Sequence, residues 1–266
     1  MTRVYFQNHG FMHCDLRWLL NANNYATRRN PSPPTTWYDL PTLTLVIDHP
    51  EGKILFDTSC PRDWESRWAG TGLEEYFPYD NVGEEDYLDS SLKRLGLEPS
   101  DFSMVVLSHL HFDHAGNLRL FQGSGAQLLC HRAEKEGALA IPGDFQGAFV
   151  KKDYQDGLAI DTLEGEPEIA KGVKLLDLPG HTWGTMGVMI DLPNSGTIIY
   201  PSDAIYMRAS YGPPPMGSPI VWSSLEWLSS VEKVRKLAER HNATVVFSHD
   251  SELVRSGLRL APAFYD

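Results

Sequence analysis

The chain has 266 residues, 42% of them hydrophobic, and no apolar run long enough for a membrane span, so it reads as a soluble globular protein with a sizeable core. Its net charge of −12 disfavours a nucleic-acid partner, which would need a basic footprint; the basic residues gather only in short pairs such as Arg28-Arg29 and Lys151-Lys152. Cys14, Cys60 and Cys130 form neither a paired framework nor a CxxC and the N-terminus lacks an apolar signal core, so cytoplasm is the expected compartment and disulfides and thiolate zinc sites are not expected.

In chain order, "NPSPPTTW" (30–37) is proline-rich but short and reads as an ordered loop. "TLTLVIDHPEGKILFDTS" (42–59) is a β-hairpin around a Pro-Glu-Gly turn. "EEDYLDSSLKRLGLEP" (84–99) predicts an amphipathic helix, with Leu88, Leu92 and Leu95 on one face and Gly96 at the C-terminal cap. Short β-like runs follow at 104–107, 126–130, 173–178, 186–191, 197–200 and 244–247, and Cys130 closes one of them as a buried small hydrophobe. "YGPPPMGSP" (211–219) is a second ordered loop. "SSLEWLSSVEKVRKLAERH" (223–241) predicts a helix opened by Ser223 and Glu226 at capping-box spacing, with Leu228, Val231, Val234 and Ala238 as its apolar stripe. Strands and helices are interspersed, so the class is α/β or α+β with helices packed on sheets.

The chemistry concentrates in "LSHLHFDHAGN" (107–117), where His109, His111, Asp113 and His114 fall within six positions. Packing gives no reason for that crowding. Three later runs also end on ligand-type residues: "VKLLDLPGH" on His181, "TIIYPSD" on Asp203 and "TVVFSHD" on His249. If these strands end on one side of a sheet, all seven side chains reach one rim, where a rigid scaffold holds functional loops. Five imidazoles and two carboxylates exceed one tetrahedral zinc site but suit two ions sharing a carboxylate. Such a pair brings the pKa of a bridging water toward ~7 and yields hydroxide at neutral pH. Nitrogen and oxygen donors without thiolate suit zinc first, with iron, manganese and cobalt as alternatives. His109 and His111, two apart in an extended loop, point the same way toward one ion; Asp113 and His114 face a second as the chain turns.

The ordinary readings differ residue by residue. A lone His181 or His249 is more often a loop or core histidine, and a lone Asp203 a turn or cap residue. Asp57, ending "KILFD", either orients a ligand histidine or caps a strand. His9, His13, His49, His131 and His241 are assigned no role at the site, with His49 and His241 facing solvent.

With these motifs assembled, the order SHLHFDH, PGHT, an Asp after a strand and a late SHD resembles the metallo-β-lactamase superfamily. That resemblance implies one domain spanning 1–266, an αββα sandwich of two mixed β-sheets flanked by helices, with a dimetal site at one edge. Within the superfamily the chain is most similar to lactonases that open N-acyl-homoserine lactones and related γ-lactones. "SDAIY" resembles their D-A-x-Y segment, the tail "KLAERHNATVVFSHD…APAFYD" their last helix, strand and ending, and the 40–59 hairpin their opening. The likeness implies His109, His111 and His181 on one metal, Asp113, His114 and His249 on the other, Asp203 bridging, and Tyr206 beside the substrate carbonyl. The implied reaction is attack on the lactone carbonyl by a hydroxide bridging two divalent ions, expected to be Zn2+, with Asp113 or a metal-bound water protonating the leaving alkoxide. Three departures stand out: Thr185 where these lactonases usually carry a second histidine, "DTS" for "DTG", and "SHD" for "GHD".

The rival readings are another hydrolase of this fold (a thioesterase, a β-lactamase or an organophosphate-cleaving enzyme), a nuclease, which the charge disfavours, and a non-catalytic binding protein. Trp18, Trp37, Trp64, Trp68, Trp183 and Trp222, with Tyr211 and Met216, either wall an apolar pocket or anchor loops. Anchoring is the better reading for each tryptophan except Trp183, two residues from His181, which is expected at the site floor. Two-fold dimers are common among soluble enzymes, and the N-terminal loop with Trp18 and Trp37 is the candidate homodimer contact. The expected partner is a small lactone, with neither nucleic acid nor membrane.

Overall fold

Apolar alternation in the strands builds the molecule outward from one shared interior. The structure, a computed structural model, describes residues 1–21, 25–155 and 157–266. In chain order the strands are β1 (Arg3–Asp15), β2 (Trp37–His49), β3 (Gly52–Phe56), β4 (Phe102–Val106), β5 (Gln127–His131), β6 (Phe145–Gln146), β7 (Phe149–Val150), β8 (Ile160–Leu163), β9 (Glu168–Ala170), β10 (Val173–Asp177), β11 (Met186–Leu192), β12 (Gly196–Tyr200) and β13 (Thr244–Val245). Among the described residues, the first sheet has six strands in the order β1-β2-β3-β4-β5-β8 and the second five in the order β13-β12-β11-β10-β9. Both are mixed. The first changes from antiparallel to parallel at β3–β4, and the second carries parallel β13 beside β12.

On β2, Leu45 and Ile47 enter the interior between the sheets, whereas Val46 joins a cluster on the outer face of the same sheet; on β3, Ile54 and Phe56 face in and Leu55 faces out. Val173, Leu175, Val188, Ile190 and Ile198 of the second sheet meet them from the other side. Burying each such side chain is worth about 1.5–3 kcal/mol. Both faces of these strands are covered, so "LVI" and "KILF" read as nearly continuous apolar runs.

Helices form the outer layers. The helices are α1 (Trp64–Trp68), α2 (Leu73–Tyr76), α3 (Leu88–Arg94), α4 (Arg132–Ala140), α5 (Arg208–Tyr211), α6 (Ser224–His241) and α7 (Ser251–Ser256). Leu88 and Leu92 of α3 and Ala138 of α4 join the outer cluster of the first sheet, and α6 covers the second sheet. The layers therefore run helix, sheet, sheet, helix, the order that the family resemblance implies.

Some details differ. α3 starts at Leu88 rather than 84, because Asp86 Oδ2 accepts the Gly83 N–H at 2.8 Å and closes a turn there. Gly96, at φ 70, follows its last turn as the spacing requires. On α6 the buried stripe is Trp227, Val231, Val234 and Ala238, while Leu228 is exposed. Positions i, i+4, i+7 and i+11 hold one face better than a stripe starting at Leu228. Ser223 caps this helix, accepting from the Glu226 N–H at 3.3 Å. His49 is buried, not solvent-facing; its Nε2 donates to Lys171 O at 3.1 Å.

Strand direction is what positions the site. β10 and β12 each pair antiparallel with β11, and β13 is parallel to β12, so β10, β12 and β13 run the same way. Their C-terminal ends, and that of β4 in the other sheet, deliver the loops bearing His181, Asp203, His249 and His109. At the opposite end the C-terminal segment returns. Tyr265 exchanges backbone hydrogen bonds with Val4 of β1 at 2.8 and 2.9 Å, and Asp266 O accepts from Asn194 and Ser195 N–H in the β11–β12 turn.

Candidate metal centre

All seven candidate residues meet at this edge. The ligand-type atoms of His109, His111 and His181 lie within 4.8 Å of one another, as do those of Asp113, His114, Asp203 and His249. His181 Nε2 is 3.1 Å from His109 Nε2 and 3.0 Å from His111 Nδ1. Asp203 stands between the groups. Its Oδ2 is 3.5 Å from His181 Nε2 and 3.9 Å from His109 Nε2, while its Oδ1 is 3.0 Å from His249 Nε2 and 3.3 Å from His114 Nε2.

The outward ring nitrogens are already committed, which fixes what the inward ones present. Nδ1 of His181 faces Ile220 O at 3.1 Å and Nδ1 of His249 faces Pro41 O at 2.8 Å; a carbonyl only accepts, so both Nδ1 atoms carry the proton and both Nε2 atoms the lone pair. His114 Nδ1 lies 2.9 Å from Asp57 Oδ2, and His109 Nδ1 lies 3.0 Å from Ser108 Oγ. Burial, reinforced by neighbouring imidazoles, holds His109 and His111 well below the usual histidine range, and burial brings His181 down to about 4. With Nδ1 of His181 protonated, its Nε2 lone pair faces His109 Nε2 at 3.1 Å and His111 Nδ1 at 3.0 Å, a crowding of ring nitrogens that a cation between them would stabilise. In the second group, His114 Nε2 and Asp203 Oδ1 are buried without a hydrogen-bond partner among the described residues. Orphaned inward atoms and outward nitrogens held by carbonyl or carboxylate are what a pair of divalent ions requires. The donor set fits the group.

The surrounding loops are braced by residues that the sequence reading valued less or missed. Asp57 orients rather than merely caps: Oδ1 accepts from Ser108 N at 2.7 Å, and Oδ2 receives both the Ser108 hydroxyl and the His114 ring. Asp57 has φ 66, in the left-handed region. Glu134, on the first turn of α4, was missed. It is fully buried, and its two oxygens accept from Leu110 N at 2.9 Å and Gly184 N at 3.1 Å, joining the two histidine-bearing loops. In sequence it is indistinguishable from an ordinary acidic residue at a helix start. Gly180 has φ 131, and a Cβ there would meet Trp227 N at 2.2 Å, so glycine lets α6 approach the His181 loop. Thr185, at the position noted as a departure, is buried and accepts from Thr182 N at 3.0 Å. Ser59, of "DTS", sits at φ 58.

Tyr206 is buried, with its hydroxyl 2.9 Å from His181 Nδ1. It borders an apolar hollow of about 270 Å³ that also touches Asp113, Asp203 and His249 and runs out past Met12, Leu40 and Phe77. Trp18 lines this hollow, and Trp183 and Trp222 line a second one beside His181. Trp68 is a buried anchor against Phe112, and Trp37 stacks on His13. His13 lies away from the centre, between Asp39 at 3.1 Å and Asp80 at 2.9 Å. All three cysteines are free and buried.

Comparison with known proteins agrees with the fold. The family model described as the metallo-beta-lactamase superfamily matches residues 37–249. The chain is 30% identical over 280 residues to the N-acyl homoserine lactonase AiiB of Agrobacterium fabrum (strain C58 / ATCC 33970), covering 100% of this chain and 99% of that protein. It is 31% identical over 236 residues to an N-acyl homoserine lactonase of a Bacillus species, covering 87% and 89%. A solved N-acyl homoserine lactone hydrolase, with the product N-hexanoyl-L-homoserine at its catalytic metal center, superposes with a TM-score of 0.82 at 27% identity, covering 98% of each chain.

Proposed function

The chain belongs to the metallo-beta-lactamase superfamily, and from that premise we propose that it hydrolyses the ring of N-acyl homoserine lactones or related γ-lactones. The observation that carries this reading is Asp203, facing a histidine group with each oxygen at the inner end of an apolar hollow. His109, His111 and His181 would hold one divalent ion and Asp113, His114 and His249 the other, with Asp203 shared; the nitrogen and oxygen donors favour zinc. When bound, the pair supplies Lewis-acid polarisation of an ester carbonyl and a water acidified toward neutrality.

The chain's own residues do the rest. The apolar hollow takes the acyl chain and excludes water from around it. The Tyr206 hydroxyl donates to the carbonyl oxygen as negative charge grows there. Asp113 borders the hollow with its Oδ2 3.5 Å from His114 Nε2 and 3.7 Å from His249 Nε2, so it is placed to pass a proton to the ring oxygen as the C–O bond opens. His114 Nδ1 leans on Asp57 and His181 Nδ1 on Ile220 O, so neither ring turns during the reaction.

The proposal treats residues 1–266 as one domain and places it in the cytoplasm, in keeping with three buried free thiols. The test is a panel of lactones of varied ring and acyl chain, run beside a thioester and a β-lactam, with bound metal measured. Ring opening of N-acyl homoserine lactones that is lost on chelation and restored by Zn2+ is expected. Turnover confined to the thioester or the β-lactam would overturn the substrate assignment, and full activity in metal-stripped protein would overturn the mechanism.

A further inference from the structure

The proline-rich stretch 211–219, read from the sequence as an ordered loop, leads into a strap behind the candidate metal centre. Trp222 N–H donates to His181 O at 3.0 Å and Ser223 N–H to Gly180 O at 3.0 Å, so the strap is fastened to the His181 loop. Two residues before Trp222, Ile220 O accepts from His181 Nδ1–H at 3.1 Å and from the Tyr206 hydroxyl at 3.4 Å. One carbonyl thus serves a candidate ligand and the proposed oxyanion donor. Whatever fixes that carbonyl fixes both.

Ser218 is placed to do so. Its side chain is buried, and its Oγ accepts from Ile220 N–H at 3.0 Å and donates to Trp18 O at 3.0 Å. Burial raises the pKa of the Tyr206 phenol, and a bond from Ser218 counters part of that rise. Trp18 belongs to the wall of the acyl hollow, packed with centroids 5.9 and 5.8 Å from Tyr76 and Phe77, which line the same hollow. A single hydroxyl therefore joins the wall that meets the acyl chain to the carbonyl that holds Tyr206. A second link, Asn21 N–H to Gly217 O at 2.7 Å, keeps the two segments together without it.

We propose that Ser218 is a positioning residue for the oxyanion donor: through Ile220 it sets the Tyr206 hydroxyl, and through Trp18 it makes that setting answer to the acyl chain. This rests on the lactonase reading above and adds to it a determinant of chain-length preference outside the centre. A phenol O–H turns about its C–O bond and follows its acceptor, so a fixed Ile220 carbonyl holds the proton where the substrate oxygen can take it over. An acyl chain seated against Trp18 steadies the wall, and the Trp18–Ser218–Ile220 path carries that order to the donor. Binding energy from a remote part of the substrate is then realised at the reacting carbonyl, so a longer chain raises kcat as well as lowering KM. Without the Ser218 hydroxyl the chain is still buried in the hollow, and its benefit retreats to KM.

The test compares metal-loaded wild type, Ser218→Ala, Tyr206→Phe and the double variant on N-butanoyl and N-decanoyl homoserine lactone, with bound metal measured. Wild type is expected to show a kcat about fivefold higher on the decanoyl compound than on the butanoyl one. Ser218→Ala is expected to lose about tenfold in kcat on the decanoyl compound and to bring the two kcat values roughly together. Its metal content should match wild type, because Trp222 and Ser223 still fasten the His181 loop. In the Tyr206→Phe background the same substitution is expected to cost less than about threefold, since the donor that it positions is gone. General loss of packing would cost the same in both backgrounds. Should Ser218→Ala fold poorly, Ser218→Cys keeps the shape of the side chain with a weakly bonding thiol and carries the same expectations. Equal costs in the two backgrounds, or a chain-length dependence of kcat that the Ser218 variants leave intact, overturns the inference while lactone turnover still stands. A wild type that opens no lactone overturns the earlier reading instead, and the same comparison of backgrounds on the thioester or β-lactam that it hydrolyses then decides the role of Ser218.

Discussion

The Tyr206 hydroxyl oxygen lies 2.9 Å from Nδ1 of His181. The tyrosine proposed to serve the substrate carbonyl thus touches the back of a histidine of the candidate metal centre. The phenol also donates to Ile220 O, at 3.4 Å, beside the His181 Nδ1–H at 3.1 Å, a long bond that it can give up for a substrate oxygen. Burial also pushes the phenol well above its ordinary range, so it stays protonated at working pH.

Tyr206→Phe should therefore lower kcat/KM tenfold to a thousandfold, about 1.4–4 kcal/mol, with KM changed less than kcat. Bound metal should stay at wild-type stoichiometry, because Ile220 O still orients His181. A variant as fast as the wild type would remove Tyr206 from the mechanism.

Glu134 should prove as important as a ligand. Both of its oxygens accept backbone N–H bonds, so Glu134→Gln cannot replace it: an amide offers one acceptor and turns a donor toward the second N–H. Leaving a buried N–H unsatisfied costs about 1–3 kcal/mol, and loosened histidine loops should weaken metal affinity about 10–100-fold. Competition with a chromophoric chelator measures the affinity. Unchanged affinity in Glu134→Gln would show that the two loops hold without this brace.

His9 should make stability acid-sensitive. The ring is fully buried on β1, with Nδ1 on Asp86 O at 2.7 Å and Nε2 on the Thr44 hydroxyl at 2.8 Å. Burial lowers its pKa from 6.5 to about 4. The unfolded chain therefore takes up a proton that the folded chain refuses. The stabilisation is complete above pH ~6.5 and is lost as pH falls toward 4, by about 3 kcal/mol in total. Urea midpoints of the metal-loaded protein between pH 7 and 5 should fall less steeply for His9→Gln than for wild type. Parallel curves would mean that the ring is charged when folded.

Ser59→Gly should stabilise the fold. At φ 58 a serine pays a steric penalty of about 1–2 kcal/mol, partly offset by the greater unfolded-state freedom of glycine. A gain near 1 kcal/mol would raise Tm by about 2–4 °C. Asp57, at φ 66, should not tolerate the same change, because its carboxylate holds Ser108 and His114. A lower Tm for Ser59→Gly would show that the side chain contributes more than its backbone costs.

The metal edge was legible because His109, His111, Asp113 and His114 crowd a loop where packing cannot explain them. His181, Asp203 and His249, each ordinary alone, were legible because each closes a short β-like run, as the crowded loop does. β1 was not. Its pairing shifts between Asn8 and Phe11, where Gly10 takes φ 85, and it buries Gln7 and His9, so the apolar alternation that marks a strand is broken. Glu134 was hidden because acidic residues are common in first helical turns for reasons unrelated to any site. The pairing of buried Asp153 with Arg67 was hidden too, since the partners lie 86 positions apart.

The C-terminal segment joins Val4 in one sheet to the 194–195 turn of the other, at the end of the sandwich farthest from His181. The molecule is thus built like a clothes-peg, with its spring at one end and its jaws at the other. Withdrawing the ions relaxes the jaws while the spring stays shut. Amide exchange would then quicken around residues 109–114, 181–185 and 203–206 and stay slow in β1, β11 and β12, so that demetallation is a local event and reloading needs no refolding.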